Sequence, residues 1–128
     1  MKMQFPVKAF AAIETPFYYY DVELLQATLD TVEREVSRYN NFHVHYAIKA
    51  NFNPRLLEII SKSGIGADCV SGGEVRAALA SGIDASKVVF AGVGKTDKEI
   101  AFALDAGIFC FNVESVPEIE AIEALAAE

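Results

Sequence analysis

Cysteine and positive charge are both scarce in this sequence. Its 128 residues include two cysteines, Cys69 and Cys110, and both lie inside apolar runs, which predicts buried reduced thiols rather than a disulfide. Eleven basic residues stand against eighteen acidic ones, giving a net charge of −7. The chain therefore lacks the basic face that non-specific binding to nucleic acid or to an anionic membrane requires.

Long apolar runs, a secretory leader and clustered metal ligands are missing as well. No apolar stretch approaches the roughly 18 residues of a membrane span, and the opening MKMQFPVKAF has no apolar leader core. No His, Cys, Asp and Glu residues have the spacing of a metal site. We therefore expect a cytoplasmic protein without a bound metal ion.

A strand–helix unit repeats four times in the remaining pattern. Apolar strand candidates begin near His43, Gly66, Lys87 and Gly107. Each is followed by residues that can cap a helix: Asn53-Pro54, Ser71 with Glu74, Thr96 with Glu99, and Ser115 with Glu118. Glycines in the positions of left-handed C-caps close three of the helices: Gly64, Gly82 and Gly107. Strands that are apolar on both faces indicate a parallel sheet covered by helices.

A strand and a longer helix are predicted before the repeats. The stretch TPFYYYD, residues 15–21, combines β-branched and aromatic residues behind a proline, which is typical of a strand. Asp21 can cap a helix over residues 22–39, whose leucines and valines recur at helical spacing.

Consecutive strand–helix units leave two main architectures, because their crossovers are right-handed. One is a doubly wound open sheet and the other is a (β/α)8 barrel. A barrel takes roughly 250 residues, about twice the present length, and the sequence ends inside a helical pattern. We therefore expect an α/β fold that forms the first half of a (β/α)8 TIM-type barrel, in a truncated chain.

Lys49 is the strongest candidate for chemistry, at the end of the apolar stretch HVHYAIKAN (residues 43–51). Strand alternation puts His43, His45 and Lys49 on one face. If the other face meets the helices, Lys49 points into the barrel at its carboxyl end, where barrel enzymes build their sites. A lysine desolvated there can form a Schiff base with pyridoxal phosphate. The competing interpretation is a strand-end lysine whose ammonium group only reaches water.

The stretch AGVGKT, residues 91–96, ends like a phosphate-binding P-loop. However, Val89 stands where the first glycine of a P-loop is required, and Asp97 stands where a dinucleotide fingerprint has its third glycine. A tight turn before a capped helix explains these residues, and we expect no nucleotide site.

Asp68 and Glu74 lie in a second polar stretch, GADCVSGGE. Asp68 is an acid inside an apolar strand and costly to bury alone, so we expect it to face a polar barrel mouth. For Glu74 a capping role is the favoured interpretation. For His43 and His45 we favour packing over catalysis.

Five stretches resemble, in order and spacing, the amino-terminal part of the diaminopimelate decarboxylases: TPFYYYD, YAIKAN, GADCVSGGEVRAAL, VVFAGVGKTDKEI and FCFNVES. That family belongs to the alanine-racemase-like barrel enzymes that use pyridoxal phosphate. The resemblance runs from about residue 13 to the end of the sequence. YAIKAN alone indicates the superfamily, whereas VSGGE together with GVGKT is much more specific.

The resemblance implies a cofactor, a reaction and three site residues. Lys49 matches the catalytic lysine that holds pyridoxal 5′-phosphate as an internal aldimine, and Asp68 and Glu74 match two acids near the cofactor. The implied reaction is loss of CO2 from meso-diaminopimelate to give L-lysine, the last step of lysine biosynthesis, by a cytoplasmic homodimer when full length. Residues 1–21 would then belong to a β-domain otherwise missing here, and residues 22–128 to the truncated barrel.

Alternatives of three kinds remain open. One is another basic amino-acid decarboxylase that uses pyridoxal phosphate, acting on arginine, ornithine or carboxynorspermidine. The second is a non-catalytic barrel that binds pyridoxal phosphate, and the third is a plain strand–helix module with a solvated Lys49. Two further expectations concern the isolated chain. It should be inactive, because the rest of the barrel and its site residues are missing. If folded, it should self-associate through an unpaired strand edge near residues 107–113.

Overall fold

The computed structural model describes residues 5–127, in which strands and helices alternate from residue 45 onward. The helices are α1 Val7–Phe10, α2 Val22–Val36, α3 Pro54–Lys62, α4 Gly72–Ala80, α5 Asp97–Asp105 and α6 Val116–Ala126. The strands are β1 His45–Ala47, β2 Gly66–Cys69, β3 Val88–Phe90 and β4 Cys110–Phe111. Short 3₁₀ turns follow β1, at Ile48–Ala50, and precede β3, at Ala85–Lys87.

The four strands form one parallel sheet in the order β1-β2-β3-β4. Right-handed crossovers that each lead to the adjacent strand place all of their helices on one face of the sheet. A doubly wound sheet would reverse its order partway, and this one does not. The predicted parallel α/β arrangement is confirmed.

The core lies between the sheet and its helices. Side chains on the helix face of β2 and β3 are wholly buried: Ala67, Cys69, Val88 and Phe90. They pack against Leu57 and Ile60 of α3 and against Val75 of α4. The opposite face carries Asp68, Val89 and Cys110, which are only half-buried because none of the described helices covers them.

Polar side chains begin the helices where the sequence predicts them. Asp21 accepts from the Leu24 N–H, and Asn53 accepts from the Arg55 N–H. Thr96 and Glu99 form a complete capping box, in which the side chain of each accepts a hydrogen bond from the backbone N–H of the other. The predicted closing glycines all have positive φ: Gly64, Gly82 and Gly107.

The strand predicted at residues 15–21 is not present: this segment is irregular. Its aromatic rings pack within the amino-terminal segment, where Phe17 and Tyr19 both contact Phe10. No neighbouring strand offers hydrogen bonds to this segment in the described part of the chain, and a strand requires such a partner.

No helix among residues 5–127 is both long enough and apolar enough to cross a membrane.

Candidate cofactor site at the carboxyl ends of the strands

Lys49 lies just beyond the carboxyl end of β1, in the 3₁₀ turn Ile48–Ala50. The strand ends at Ala47, two residues earlier than the alternation argument assumes, because the chain turns there. Ile48 is 0% exposed and anchors the turn in the core, whereas Lys49 is exposed. Among the described residues Lys49 is therefore exposed at the strand end rather than desolvated, and its cofactor role stays a prediction.

The Lys49 ammonium makes no ion pair and no side-chain hydrogen bond with residues 5–127. By contrast, Lys87 donates to the Gly64 carbonyl, and Lys95 is fully engaged. A lysine without a structural partner at this end of the sheet is available to a ligand.

Asp68 lies on the neighbouring strand, β2, in register with Ala47. Its side chain is half-buried, between the wholly buried Ala67 and Cys69 that face the helices. The sheet register thus brings Asp68 and the Lys49 turn to the same edge of the sheet. The carboxylate has no hydrogen-bond or ion-pair partner among the described residues, so its oxygens are open to a ligand.

Glu74 acts as a helix cap in this structure. Its Oε2 accepts from the Val70 N–H at 2.8 Å, and its own N–H donates to Ser71 Oγ at 3.2 Å. The contact differs from a regular capping box by one residue, because Glu74 accepts from the Val70 N–H and not from the Ser71 N–H. Glu118 makes the same shifted contact with the Glu114 N–H. The cofactor contact of Glu74 stays a prediction.

Glu99 connects two neighbouring units at this end of the sheet. Its Oε1 accepts from the Gly72 N–H at 2.8 Å, and its Oε2 accepts from the N–H and hydroxyl of Thr96. These donors lower the pKa of the Glu99 carboxyl, the Gly72 N–H most of all. A methyl group at Gly72 would lie 2.7 Å from Glu99 Cγ, so the glycine makes room for this contact.

Lys95, the lysine of the P-loop-like stretch, is buried and fully paired. Its Nζ donates to the Gly92 and Asn112 carbonyls at 2.8 Å each and to Glu118 Oε1 at 2.6 Å. The side chain is 1% exposed and lies over the Phe90 ring. This ammonium joins two loops and is closed to a phosphate, in agreement with the expectation of no nucleotide site.

The two histidines differ in their surroundings. His45 is half-buried and its ring stacks on that of Phe109, whereas His43 is exposed. The pKa of His45 is lowered, mainly by burial and then by His43, while the Asp68 carboxylate opposes this change. A lowered pKa keeps the imidazole neutral, which suits the predicted packing role of His45.

Asn51 ends the Lys49 turn and is not among the site residues predicted from the sequence. Its amide bridges the Lys49 turn and Tyr20, a residue 31 positions earlier in the chain. The sequence carries a local signal for its contact with Asn53, because an asparagine side chain often accepts from the N–H two residues later in an Asx-turn. The contact with Tyr20 depends on tertiary structure and has no signal in the local pattern.

The donor set at this edge suits an aldehyde cofactor. A primary amine can hold an aldehyde carbon covalently, and Lys49 is exposed and unpaired within the described chain. The unpaired Asp68 carboxylate lies on the adjacent strand. Both groups are at the carboxyl ends of parallel strands, where ligands of such sheets bind.

The chain matches the family model "Pyridoxal-dependent decarboxylase, pyridoxal binding domain" over residues 25–128. It is 58% identical to diaminopimelate decarboxylase of Bacteroides thetaiotaomicron over 127 residues, which cover 99% of the chain and 33% of that protein. It is 44% identical to the enzyme of the same name from Neisseria meningitidis serogroup B, over 91% of the chain and 28% of that protein. The chain thus spans about a third of the length of these curated relatives.

Among solved structures, the chain is similar to a diaminopimelate decarboxylase from Helicobacter pylori, an I148L mutant complexed with L-lysine. The TM-score is 0.86 at 38% identity, over 94% of this chain and 30% of that one.

Proposed function

The chain belongs to the pyridoxal-dependent decarboxylases, through their pyridoxal-binding domain, and we propose that it is part of a diaminopimelate decarboxylase. Such an enzyme converts meso-diaminopimelate to L-lysine and CO2. The identity of 58% to a curated diaminopimelate decarboxylase supports this substrate over other basic amino acids. The H. pylori structure that resembles this chain has L-lysine bound, the product of the proposed reaction.

The observation that carries the proposal is the exposed, unpaired Lys49 beside the half-buried Asp68 at the carboxyl ends of β1 and β2. In the proposed enzyme Lys49 holds pyridoxal 5′-phosphate through its ε-amino group. Asp68 would supply negative charge beside the cofactor, from the face of the sheet that none of the described helices covers. Glu74 contributes its second carboxylate oxygen, since only Oε2 is occupied by the helix cap among the described residues. When bound, the cofactor supplies an electron sink for the electrons left by the departing carboxylate.

In this proposal residues 22–128, which contain the four strand–helix units, are the first half of a (β/α)8 barrel. The sequential strand order and the helix-free face of the sheet support a singly wound barrel over a doubly wound sheet. Residues 1–21 would belong to a separate β-domain, in which residues 15–21 could pair as a strand. The complete enzyme would be a cytoplasmic homodimer.

Reductive trapping tests the role of Lys49 in the complete reading frame. Borohydride treatment of the purified protein with pyridoxal phosphate should leave a phosphopyridoxyl group on the Lys49 peptide. Lys49→Ala should carry no such group and should release no CO2 above background. Lys98→Ala is the matched control, because Lys98 is exposed at the start of α5, away from β1.

Substrate choice is tested with the same protein. CO2 release should be fastest with meso-diaminopimelate, compared with arginine, ornithine and carboxynorspermidine. Preference for one of the other amino acids would assign a different decarboxylase. A trapped cofactor without CO2 release from any of them would indicate a non-catalytic barrel. If no cofactor is trapped on the protein and Lys49→Ala turns over substrate as fast as the parent, the proposal as a whole is refuted.

A further inference from the structure

We propose that Asn51 is a positioning residue for Lys49, anchored by Tyr46 and Tyr20. The inference rests on the proposed function, because it assigns Asn51 the task of fixing the turn that presents the cofactor-binding lysine. Asn51 acts through the backbone and has no role in bond making.

Every polar group of Asn51 is engaged in a hydrogen bond. Its N–H donates to the Ile48 carbonyl at 3.1 Å, which closes the turn around Lys49. Its carbonyl accepts from the Tyr46 hydroxyl at 3.1 Å, and its Oδ1 accepts from the Asn53 N–H at 3.0 Å. Its Nδ2 donates to the Tyr20 hydroxyl at 3.0 Å. These four hydrogen bonds restrain both the backbone and the side chain of Asn51.

Lys49 is thereby held between two fixed points. On one side Ile48 is 0% exposed and packed in the core. On the other side Asn51 is tied to β1 through Tyr46 and to the first turn of α3 through Asn53. These contacts restrain the backbone on both sides of Lys49, whose side chain has no ion-pair partner among the described residues. A fixed backbone reduces the conformational entropy that the lysine must lose when it binds a ligand.

The two tyrosines hold Asn51 from different parts of the chain. Tyr46 belongs to β1, and burial raises the pKa of its hydroxyl, so it remains a donor at physiological pH. Tyr20 lies in the irregular segment before α2. Its contact connects the amino-terminal segment to the lysine turn, so this segment also contributes to the site.

Three substitutions test the inference in the complete protein. Tyr46→Phe and Tyr20→Phe each remove one hydroxyl, and Asn51→Ala removes both side-chain contacts. Tyr39→Phe and Asn41→Ala are matched controls, because both residues are exposed between α2 and β1. Three quantities are measured: the rate of borohydride-trappable attachment to Lys49, cofactor dissociation, and kcat and KM for meso-diaminopimelate.

We expect Asn51→Ala to slow attachment and to lower kcat by about ten- to a hundredfold, as for a reacting group displaced by about 1 Å. KM should change little, because in the proposed role Asn51 acts only on the Lys49 turn. Tyr46→Phe should show a smaller change in the same direction, with an unchanged melting temperature. The two controls should match the parent protein.

Three outcomes test the inference, and two of them separate it from the proposed function. If Lys49→Ala abolishes trapping while Asn51→Ala and Tyr46→Phe trap cofactor at the parent rate, the positioning role is wrong and the proposed function stands. A loss in Asn51→Ala that disappears when rates are expressed per folded protein also overturns it, because the residue would then be structural. If Lys49→Ala still traps cofactor, the proposed function itself fails.

Discussion

The ring of His45, at the start of β1, stacks on the ring of Phe109, next to β4, with centroids 6.4 Å apart and planes inclined by 20°. Strands β2 and β3 lie between them in the sheet. In a flat sheet the first and fourth strands would be about 14 Å apart, from a spacing of about 4.8 Å per strand. The stacking therefore requires a strongly curved sheet.

Gly66 permits this curvature, and replacing it should destabilise the protein. A Cβ atom at Gly66 would overlap the Lys87 carbonyl oxygen and lie 2.6 Å from His45 Cδ2. The carbonyl belongs to the backbone and cannot rotate away. We expect Gly66→Ala to lower the free energy of unfolding by about 1–3 kcal/mol, the usual cost of overpacking, as measured by urea unfolding.

The control for this change is Gly73→Ala in the first turn of α4. A Cβ atom there would meet only Ser71 Oγ, at 3.6 Å. Because alanine is the better helix former by roughly 0.5–1 kcal/mol, this variant should be neutral or slightly stabilised. Equal destabilisation of both variants would contradict a steric role for Gly66.

Lys95 should be important for stability. Lys95→Met leaves Glu118 without its cation and leaves the Gly92 and Asn112 carbonyls without their donor. Loss of one partner from a buried ion pair costs roughly 3–5 kcal/mol, and we expect the lower end because Glu118 keeps the Glu114 N–H. Denaturant unfolding measures the change.

Lys98→Met is the matched control for Lys95, since Lys98 is an exposed lysine three residues later. It should unfold at the same denaturant concentration as the parent protein. An equal effect of the two substitutions would show that removal of positive charge, rather than the buried contacts, determines the loss.

Acid should weaken the hydrogen bond between the Gly72 N–H of α4 and the Glu99 carboxylate of α5. The pKa of Glu99 is lowered from its ordinary value of 4.5, chiefly by the Gly72 N–H and then by Thr96. A lowered pKa means that the unfolded chain binds the proton first, so the contribution of this carboxylate is present above pH 4.5 and is lost as the pH falls through the folded-state pKa. The melting temperature should therefore decline below pH 4.5.

Glu99→Gln isolates this contribution. The amide oxygen can still accept from Gly72, but it does not titrate, so the decline of the melting temperature with acid should be shallower than in the parent. Glu123→Gln, at an exposed glutamate of α6, should keep the parent slope. Identical slopes for all three proteins would exclude Glu99 as the titrating group.

The helix starts and ends are predictable from sequence because their causes are local. Asp21, Asn53 and Thr96 cap the helices that follow them, and Gly64 and Gly82 end two of them with positive φ. Each of these contacts joins residues that are two to four positions apart. The local chain therefore contains the whole of the signal.

Long-range contacts are where prediction from sequence ends. The strand predicted at residues 15–21 depends on a partner strand, and aromatic composition cannot reveal whether one is available. The place of Lys49 after an apolar strand makes it a candidate from sequence alone, and its role in a site stays a prediction. The contact of Asn51 with Tyr20 and that of Glu99 with Gly72 join residues 31 and 27 positions apart, so no local pattern indicates them.

The two cysteines should distinguish the covered face of the sheet from the uncovered one. Cys69 is wholly buried under the helices, and burial, followed by Glu74 and Asp68, raises the pKa of its thiol to about 12. At neutral pH roughly 10⁻⁵ of such a thiol is thiolate, the reactive form. Cys110 lies on the opposite face and is half-exposed.

We therefore expect iodoacetamide to modify Cys110 alone in the native 128-residue chain, at a dilution where sedimentation shows a monomer. Cys69 should react after denaturation, and peptide mass spectrometry locates the label. In a longer protein whose further strands close the barrel, Cys110 should become protected because the uncovered face turns into the interior. Persistent labelling of Cys110 there would mean that this face stays open to solvent, and the half-barrel interpretation would then be wrong.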